Sequence, residues 1–288
     1  MKTEYSLASG STAAIESAPS TEDAQPTILF VPGYTGSKED FLPLLRPLAA
    51  AGYRSVAIDQ RGQYESAWAK DEDGYCIDSL AADVCDLAGQ LRPVAASLHL
   101  VGHSFGGLVT RVAVLAEPIL FDSFTLMGSG PGPLPGLRRA VLDAGETVLA
   151  EQGMQGLWAQ MAARAQVDPS FVNSSPALRE FLKTRFLAND PVGLRVMGQA
   201  LRQIPDSTEQ LAAVALPKLV LHGVRDDAWP PAVQVDMARR LAAEHVVIGN
   251  AAHSPAVENP SETARALLAF WAPDSAEPRG AGAPAAAN

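Results

Sequence analysis

Residues 98–107 read LHLVGHSFGG, an apolar run that passes directly into a glycine-rich turn. The run is typical of a buried strand, and the apolar spacing after the turn predicts a helix. Ser104 is therefore expected on a sharp turn between a strand and a helix, which presents its hydroxyl above the sheet. The N–H groups at the start of that helix would lie beside any negative charge that develops there. We predict that Ser104 is a nucleophile; the alternative is an inert serine in a tight turn.

Short apolar runs alternate with helical patterns on both sides of this turn. Strands are predicted at 27–31, 55–58, 98–101, 124–127, 218–221 and 245–248. Continuous apolar strands separated by helices are typical of parallel strands that are covered on both faces. The sequence therefore predicts an α/β fold with a mostly parallel, doubly wound sheet.

The strand pattern stops between about Gly132 and Leu216, where only helical patterns with Pro and Gly remain. We interpret this stretch as a helical insertion that forms a lid over the carboxyl edge of the sheet, where open α/β sheets bind ligands. The predicted domains are a core at 1–131 and 209–272, an all-helical cap at 132–208 and a disordered tail at 273–288. The tail is rich in Ala, Gly and Pro and has little apolar surface to bury against the entropy of ordering.

Composition and charge exclude several classes of protein. The chain of 288 residues has 22 Lys and Arg against 32 Asp and Glu, a net charge of -10 without a basic block, which disfavours nucleic-acid and anionic-membrane binding. No apolar run reaches the ~20 residues of a membrane span, and the first 25 residues lack the apolar stretch of a signal peptide. Two cysteines, Cys76 and Cys85, are typical of a reduced cytosolic protein. We expect a cytoplasmic monomer or homodimer that binds a small-molecule substrate.

A nucleophilic serine needs a general base and an acid that orients the base. The candidate bases are His99, His103, His222, His245 and His253. His103 is expected to point away from the neighbouring Ser104, whereas His253 follows the last predicted strand, at the same sheet edge as Ser104. Asp226 and Asp227 both follow the strand before it, and either could instead be a loop carboxylate or a helix cap. We predict His253 as the base and one of these two aspartates as the acid.

Four motifs in this order resemble the α/β-hydrolase superfamily over about residues 27–271. They are GHSFG at 102–106, DQRG at 59–62, the aspartate turn with Gly223, Asp226 and Pro230, and AHSP at 252–255. The chain order Ser, Asp, His also matches that of the nucleophile-elbow hydrolases. The register of the aspartate turn favours Asp226 over Asp227, so the resemblance implies a triad of Ser104, His253 and Asp226.

The first core strand ends differently from that of many relatives, with Pro32-Gly33 in place of His-Gly. An oxyanion hole uses backbone N–H groups, so the change of side chain need not remove it. By position in the motifs, the donors would be the N–H groups of Tyr34 and Phe105. The Tyr34 side chain either lines the pocket or packs in the core.

The resemblance implies a cofactor-independent serine hydrolase that cleaves a partly apolar ester, thioester or lactone through an acyl-enzyme. No metal site or organic cofactor is expected, because the chain has no cysteine cluster, close histidine pair or phosphate-binding Gly-Lys turn. Relatives with the same triad also perform lyase, carbon–carbon hydrolase, perhydrolase and acyltransferase chemistry, or act as small-ligand receptors. The sequence leaves these alternatives open.

Large apolar side chains recur in the predicted cap, where each either packs the cap's own core or borders the substrate. They are Leu157, Trp158, Met161, Phe171, Phe181, Phe186 and Met197. Packing is the commoner role for such residues. The substrate-pocket residues predicted from this set and from the catalytic loops are Tyr34, Trp158, Met161 and Trp229.

Overall fold

Eight strands form one sheet in the part of the chain that the structure, a computed structural model, describes: residues 1–20, 23–166 and 172–272. The strands are β1 (Lys2–Leu7), β2 (Gly10–Ser17), β3 (Gln25–Val31), β4 (Arg54–Ile58), β5 (Ala95–His103), β6 (Ser123–Met127), β7 (Lys218–Gly223) and β8 (Glu244–Ile248). Their order across the sheet is β1-β2-β4-β3-β5-β6-β7-β8. The pairs from β4 to β8 are parallel, and β2 joins both β1 and β4 in antiparallel register. The predicted mostly parallel α/β sheet is confirmed.

Ten α-helices connect or follow the strands within the described residues. They are α1 (Leu42–Ala50), α2 (Ile77–Leu91), α3 (Phe105–Ala116), α4 (Gly136–Ala165), α5 (Pro176–Leu187), α6 (Pro191–Gln203), α7 (Thr208–Ala212), α8 (Pro231–Leu241), α9 (Pro255–Glu258) and α10 (Pro260–Trp271). Helix α4 is interrupted at Gly153, whose φ of 65° departs from helical geometry. No described helix combines the length and the apolar character that crossing a membrane requires.

Alternate residues of the central strands pack on opposite faces of the sheet. Leu29 and Val31 belong to one buried cluster with residues of α2 and α3, whereas Ile28 and Phe30 belong to a second cluster. Side chains alternate between faces along a strand, so an unbroken apolar strand fills both layers at once. This two-sided burial fixes the sheet whose carboxyl edge carries the site described below.

The N-terminal hairpin was not anticipated from the sequence, where 27–31 is the first predicted strand. Strands β1 and β2 pair from Lys2 with Ile15 to Leu7 with Gly10, which leaves two residues in the turn. Exposed and less exposed positions alternate along β1, as in any strand with one covered face. Polar residues occupy most of these positions, so the sequence does not show the alternation of apolar and polar side chains that predicts a strand. The hairpin extends the sheet through the contact of β2 with β4.

Residues 132–208, named the helical insertion here, lie between β6 and β7. Their described part contains helices α4, α5 and α6 and the start of α7, and no strand. Phe171 and the predicted tail at 273–288 lie outside the described residues. Phe186 and Leu157 pack with Leu194 in a small apolar cluster of the insertion itself.

Candidate active site

Ser104 lies between β5 and α3 in a backbone conformation that few non-glycine residues adopt, with φ of 54° and ψ of −120°. The glycines around it are required because the strand, the helix and β3 approach closely. A β-carbon on Gly102 would lie 2.6 Å from the carbonyl oxygen of Gly106, and one on Gly106 would collide with that of Val31. The turn therefore raises the serine hydroxyl above the carboxyl edge of the sheet.

Three predicted residues meet at this edge. The Nε2 atom of His253 lies 2.9 Å from the Oγ atom of Ser104, and its Nδ1 atom lies 3.0 Å from Oδ1 of Asp226. Asp226 follows β7 and His253 follows β8, so neighbouring parallel strands deliver both side chains to the same place. The chain from carboxylate to imidazole to hydroxyl is continuous, which is the geometry that activates a serine.

The Asp226 carboxylate is buried and held as an anion. Its oxygens accept hydrogen bonds from the N–H of Ala228 and the side-chain amide of Gln234, both at 2.9 Å, as well as from His253. Burial alone would raise the pKa of Asp226, but the bonds from His253, Ala228 and Gln234 outweigh it and hold that pKa below its ordinary value. Asp227 is exposed and forms an ion pair with Arg138 instead.

His103 lies close to the site, contrary to the expectation that it points away from Ser104. Its ring centroid is 5.1 Å from that of His253, and its Nε2 atom lies 2.8 Å from the backbone oxygen of His253. A carbonyl oxygen can only accept, so Nε2 of His103 donates this bond. Burial, and next the positive charge that His253 can carry, lower the pKa of His103, which keeps it neutral. His103 therefore holds the backbone of the loop that carries His253.

The remaining histidines are occupied elsewhere. His99 hydrogen-bonds to Ser97 and Ser123 through its two ring nitrogens, at 2.9 and 2.8 Å. His222 and His245 contact each other through their Nε2 atoms at 2.9 Å. Of the five histidines, His253 is the one that forms a hydrogen bond with the Ser104 hydroxyl.

The loop after β3 approaches the serine hydroxyl closely. A β-carbon on Gly33 would lie 3.1 Å from the Cβ atom of Ser104 and 3.5 Å from its Oγ atom, so a larger residue would crowd the site. Phe105 follows Ser104 as the first residue of α3, where the helix leaves N–H groups without intrahelical acceptors. The backbone beside Tyr34 and that of Phe105 thus flank the hydroxyl.

A cavity of about 1300 Å³ opens above Ser104 and His253. Much of its wall comes from apolar side chains of the helical insertion, which include Leu134, Leu142, Leu149, Leu157, Leu182 and Leu194. Several charged side chains on the wall form ion pairs with one another. Arg185 pairs with Asp40, Arg138 with Asp227, and Arg202 with Glu146.

Two of the four predicted pocket residues, Tyr34 and Met161, line this cavity. Trp158 lines an adjoining cavity of about 180 Å³ together with Met161, and its ring packs 5.6 Å from that of Phe186. The prediction that Trp229 lines the pocket is wrong, because this residue is 1% exposed and belongs to neither cavity wall. It packs against Gly130, where a β-carbon would overlap the indole ring, and its Nε1 atom donates to the Gly132 carbonyl.

In the part of the chain that the structure describes, no group of three or more His, Cys, Asp or Glu side chains is placed to hold a metal ion. The residues that meet at the sheet edge are those of nucleophilic catalysis, which activates a hydroxyl with an imidazole and a carboxylate.

Residues 28–266 match the family model described as the alpha/beta hydrolase family. The chain belongs to the α/β-hydrolase family. A putative carbamate hydrolase of Pantoea ananatis is 28% identical over 254 residues, which are 85% of this chain and 87% of that protein. A pimeloyl-(acyl-carrier protein) methyl ester esterase of Aeromonas salmonicida is 27% identical over 223 residues, 74% of this chain and 83% of that protein.

The architecture agrees with this assignment. A thermophilic esterase from Thermogutta terrifontis superposes with a TM-score of 0.76 at 21% identity, covering 94% of this chain and 97% of that chain, a likeness of fold. The family and the fold predicted from the four motifs are confirmed, and this α/β hydrolase is a hydrolytic enzyme.

Two glutamine side chains of this α/β hydrolase hold the loop after β3, and no local pattern in the sequence predicts this role. The side chains of Gln60 and Gln63 donate to the backbone carbonyls of Pro32 and Gly33, at 2.9 and 2.8 Å. The only signal in the sequence is their position within and just after the DQRG motif at 59–62, and nothing in that motif points to residues nearly thirty positions earlier.

Proposed function

We propose that this α/β hydrolase is a cofactor-independent serine hydrolase in which Ser104 is the nucleophile, His253 the general base and Asp226 the residue that orients the base. The observation that carries the proposal is the unbroken contact from Asp226 through His253 to Ser104, at 3.0 and 2.9 Å. A buried carboxylate on Nδ1 fixes the imidazole tautomer, leaves Nε2 free to accept the serine proton, and stabilises the imidazolium that results.

The reaction follows from these contacts. The Oγ atom of Ser104 attacks the substrate carbonyl carbon while Nε2 of His253 takes the hydroxyl proton. The N–H groups of Tyr34 and Phe105 bind the oxyanion of the tetrahedral intermediate. Collapse of the intermediate expels the alcohol or thiol, which takes the proton from His253. Water then attacks the acyl-enzyme while His253 takes its proton. When the second tetrahedral intermediate collapses, the acid leaves and His253 returns the proton to the Oγ atom of Ser104.

The substrate we propose is a small-molecule ester, thioester or lactone with an apolar acyl group. Support comes from the cavity of about 1300 Å³ and from the leucines of its wall, since ligand pockets bury apolar groups around a few polar ones. The helical insertion would then act as a cap that covers the acyl group. Two matched relatives are named as a putative carbamate hydrolase and a methyl ester esterase, and both names describe cleavage of a related carbonyl bond, which favours ester-type chemistry.

A p-nitrophenyl ester tests the proposal. The protein should release a burst of p-nitrophenol equal to its active sites and then turn over steadily, and Ser104→Ala should abolish both while its circular dichroism spectrum stays unchanged. Ser79→Ala is a matched control, because that hydroxyl lies on α2 and bonds to the Asp73 carbonyl. Hydrolysis that persists in folded Ser104→Ala protein would contradict the proposal.

The choice of scissile bond is tested with the same protein on a panel of acyl esters, thioesters and lactones. Turnover of these substrates, with water as the acceptor, is expected. Activity confined to carbon–carbon cleavage, or to acyl transfer onto added alcohols, would retain the triad but overturn hydrolysis of ester-type bonds.

A further inference from the structure

The loop after β3 is held by two buried glutamine side chains from the turn that follows β4. Gln60 donates from Nε2 to the carbonyl of Pro32 at 2.9 Å. Gln63 uses both hydrogens of its amide, donating to the carbonyls of Gly33 at 2.8 Å and Tyr34 at 3.2 Å. Hydrogen bonds from the two glutamines thus hold three successive carbonyl oxygens of this loop, which begins with proline where many relatives have histidine.

The orientation of the Gln63 amide is itself determined by its neighbours. Its Oε1 atom accepts the backbone N–H of Gln60 at 3.0 Å, so the nitrogen of the amide must face the loop. The backbone N–H of Gln63 donates to the carbonyl of Gln60 at 2.9 Å, which closes the turn that carries both side chains. Gln63 is completely buried, so water does not compete for these bonds.

The bond to Gly33 has a consequence for Tyr34, because the carbonyl of Gly33 and the N–H of Tyr34 belong to one peptide group. That group is planar and trans, so its C=O and N–H point in opposite directions. When the Gln63 side chain binds the Gly33 carbonyl on one side of the peptide group, the N–H of Tyr34 therefore points toward the opposite side. The Gly33 α-carbon lies against Ser104, as the 3.1 Å distance of its absent β-carbon from the serine Cβ shows.

Tyr34 is also held from the side of the helical insertion. Its hydroxyl donates to the carbonyl of Leu194 in α6 at 2.8 Å, and its ring packs edge-on against Phe105, with 6.5 Å between the ring centroids. These contacts restrain the side chain of Tyr34. The orientation of the Gly33–Tyr34 peptide group is fixed instead by the hydrogen bonds to the Gly33 carbonyl. Those bonds come from Gln63 and, at 3.2 Å, from the N–H of Gly36.

We propose that Gln63 is a positioning residue for the oxyanion loop: by binding the carbonyl of Gly33, it directs the N–H of Tyr34 toward the oxygen that becomes negative when Ser104 attacks. The inference rests on the proposed serine-hydrolase function. Gln63 is not a catalytic residue, because its side chain binds the loop carbonyls of Gly33 and Tyr34 and acts on the reaction through the Gly33–Tyr34 peptide group.

Gln63→Leu tests the inference because it keeps the size of the side chain and removes both donors. Loss of one oxyanion donor costs about 10² to 10³ in rate, and a donor turned out of line is expected to lower kcat by about 10- to 100-fold. KM for the same ester should stay within about threefold, since the oxyanion exists only in the transition state. A trifluoromethyl ketone that forms a tetrahedral adduct on serine should lose affinity by the same factor as kcat.

Gln60→Leu is the matched control. It removes the same kind of bond from the same turn to the same loop, but the carbonyl that it frees shares a peptide group with the N–H of Gly33. Its kcat should stay within about threefold of the parent, and its loss of thermal stability should be smaller, because the Gln60 side chain makes one hydrogen bond whereas that of Gln63 makes three. Equal losses of kcat in the two variants would overturn the inference, because the effect would then be general loosening of the loop.

Gln63→Glu supplies a second variant of nearly identical shape. An ionised carboxylate cannot donate to the Gly33 carbonyl, whereas a protonated carboxyl can donate one bond. The ratio of its kcat to that of the parent should therefore rise as the pH falls. A folded Gln63→Leu or Gln63→Glu protein with parental kcat at every pH would refute the inference. If the parent itself lacks a burst that depends on Ser104, the proposed function fails instead.

Discussion

Arg111 holds both ends of the helical insertion onto the helix that follows Ser104, and its replacement by methionine tests how much this contact stabilises the fold. Its NH1 atom donates to the carbonyls of Gly130 and Pro131 after β6, and its NH2 atom donates to that of Pro205 before α7, at 3.3 Å. The side chain is 1% exposed, and burial lowers its pKa to about 10. Arg111 is thus a buried cation whose hydrogen-bond partners are backbone oxygens.

The size of the effect follows from these three bonds. Each buried carbonyl left without a donor costs about 1–3 kcal/mol, whereas removal of a buried charge recovers part of that sum. We expect Arg111→Met to lower the free energy of unfolding by about 2–4 kcal/mol, the range for loss of a buried hydrogen-bond network. At about 2–4 °C for each kcal/mol in a chain of this size, Tm should fall by about 4–16 °C.

Urea unfolding followed by circular dichroism measures the free energy, and limited proteolysis reports the two linkers. Arg239→Met is the matched control, because that arginine is exposed and its ion pair with Asp236 spans three residues of one helix. It should change stability by less than about 0.5 kcal/mol. Equal stability of the two variants, or cleavage that avoids the segments around 130 and 205 in Arg111→Met, would refute this explanation.

Replacement of Lys38 and of Asp226 has outcomes that the structure predicts. Lys38→Met should lower the free energy of unfolding in urea by about 3–5 kcal/mol, because it leaves the buried carboxylate of Asp59 without the lysine Nζ atom that lies 2.6 Å away. Adding Asp59→Asn should restore part of that free energy. No recovery in the double variant would contradict the pairing. Asp226→Asn should lower kcat by about 10⁴ in the p-nitrophenyl ester assay, since the amide no longer fixes the His253 tautomer. The pKa of Asp226 is lowered in the fold, so its contribution to stability is present above pH 3.8 and is lost as the pH falls through the lowered value. As the pH is lowered, the free energy of unfolding should therefore fall less steeply in Asp226→Asn than in the parent. Equal slopes in the two proteins would exclude this linkage.

The positions of Ser104, Asp226 and His253 could be predicted because each one follows a predicted strand and parallel strands end at the same edge. The steps used were local: an apolar run, a turn and the order along the chain. The structure brings these three side chains within hydrogen-bond distance of one another. Which aspartate is the partner of His253 required the register of a family motif, since Asp226 and Asp227 are adjacent.

The features that the sequence did not predict depend on contacts between distant segments. His103 bonds to a carbonyl 150 residues later, and Gln63 bonds to one 30 residues earlier, so neither has a local pattern. Trp229 follows the predicted acid and was therefore assigned to the pocket, but the missing β-carbon of Gly130 creates the space in which it is buried. The first hairpin was missed because polar residues on its exposed side hide the alternation along β1.

Mass spectrometry of quenched protein detects the acyl-enzyme on which the proposed mechanism depends. The protein is mixed with a p-nitrophenyl ester, quenched with acid within the burst, digested and analysed peptide by peptide. We expect an acyl group on Ser104, formed more slowly in His253→Ala and absent in Ser104→Ala. An acyl group on another residue, or turnover of the ester without an acyl group on Ser104, would contradict it.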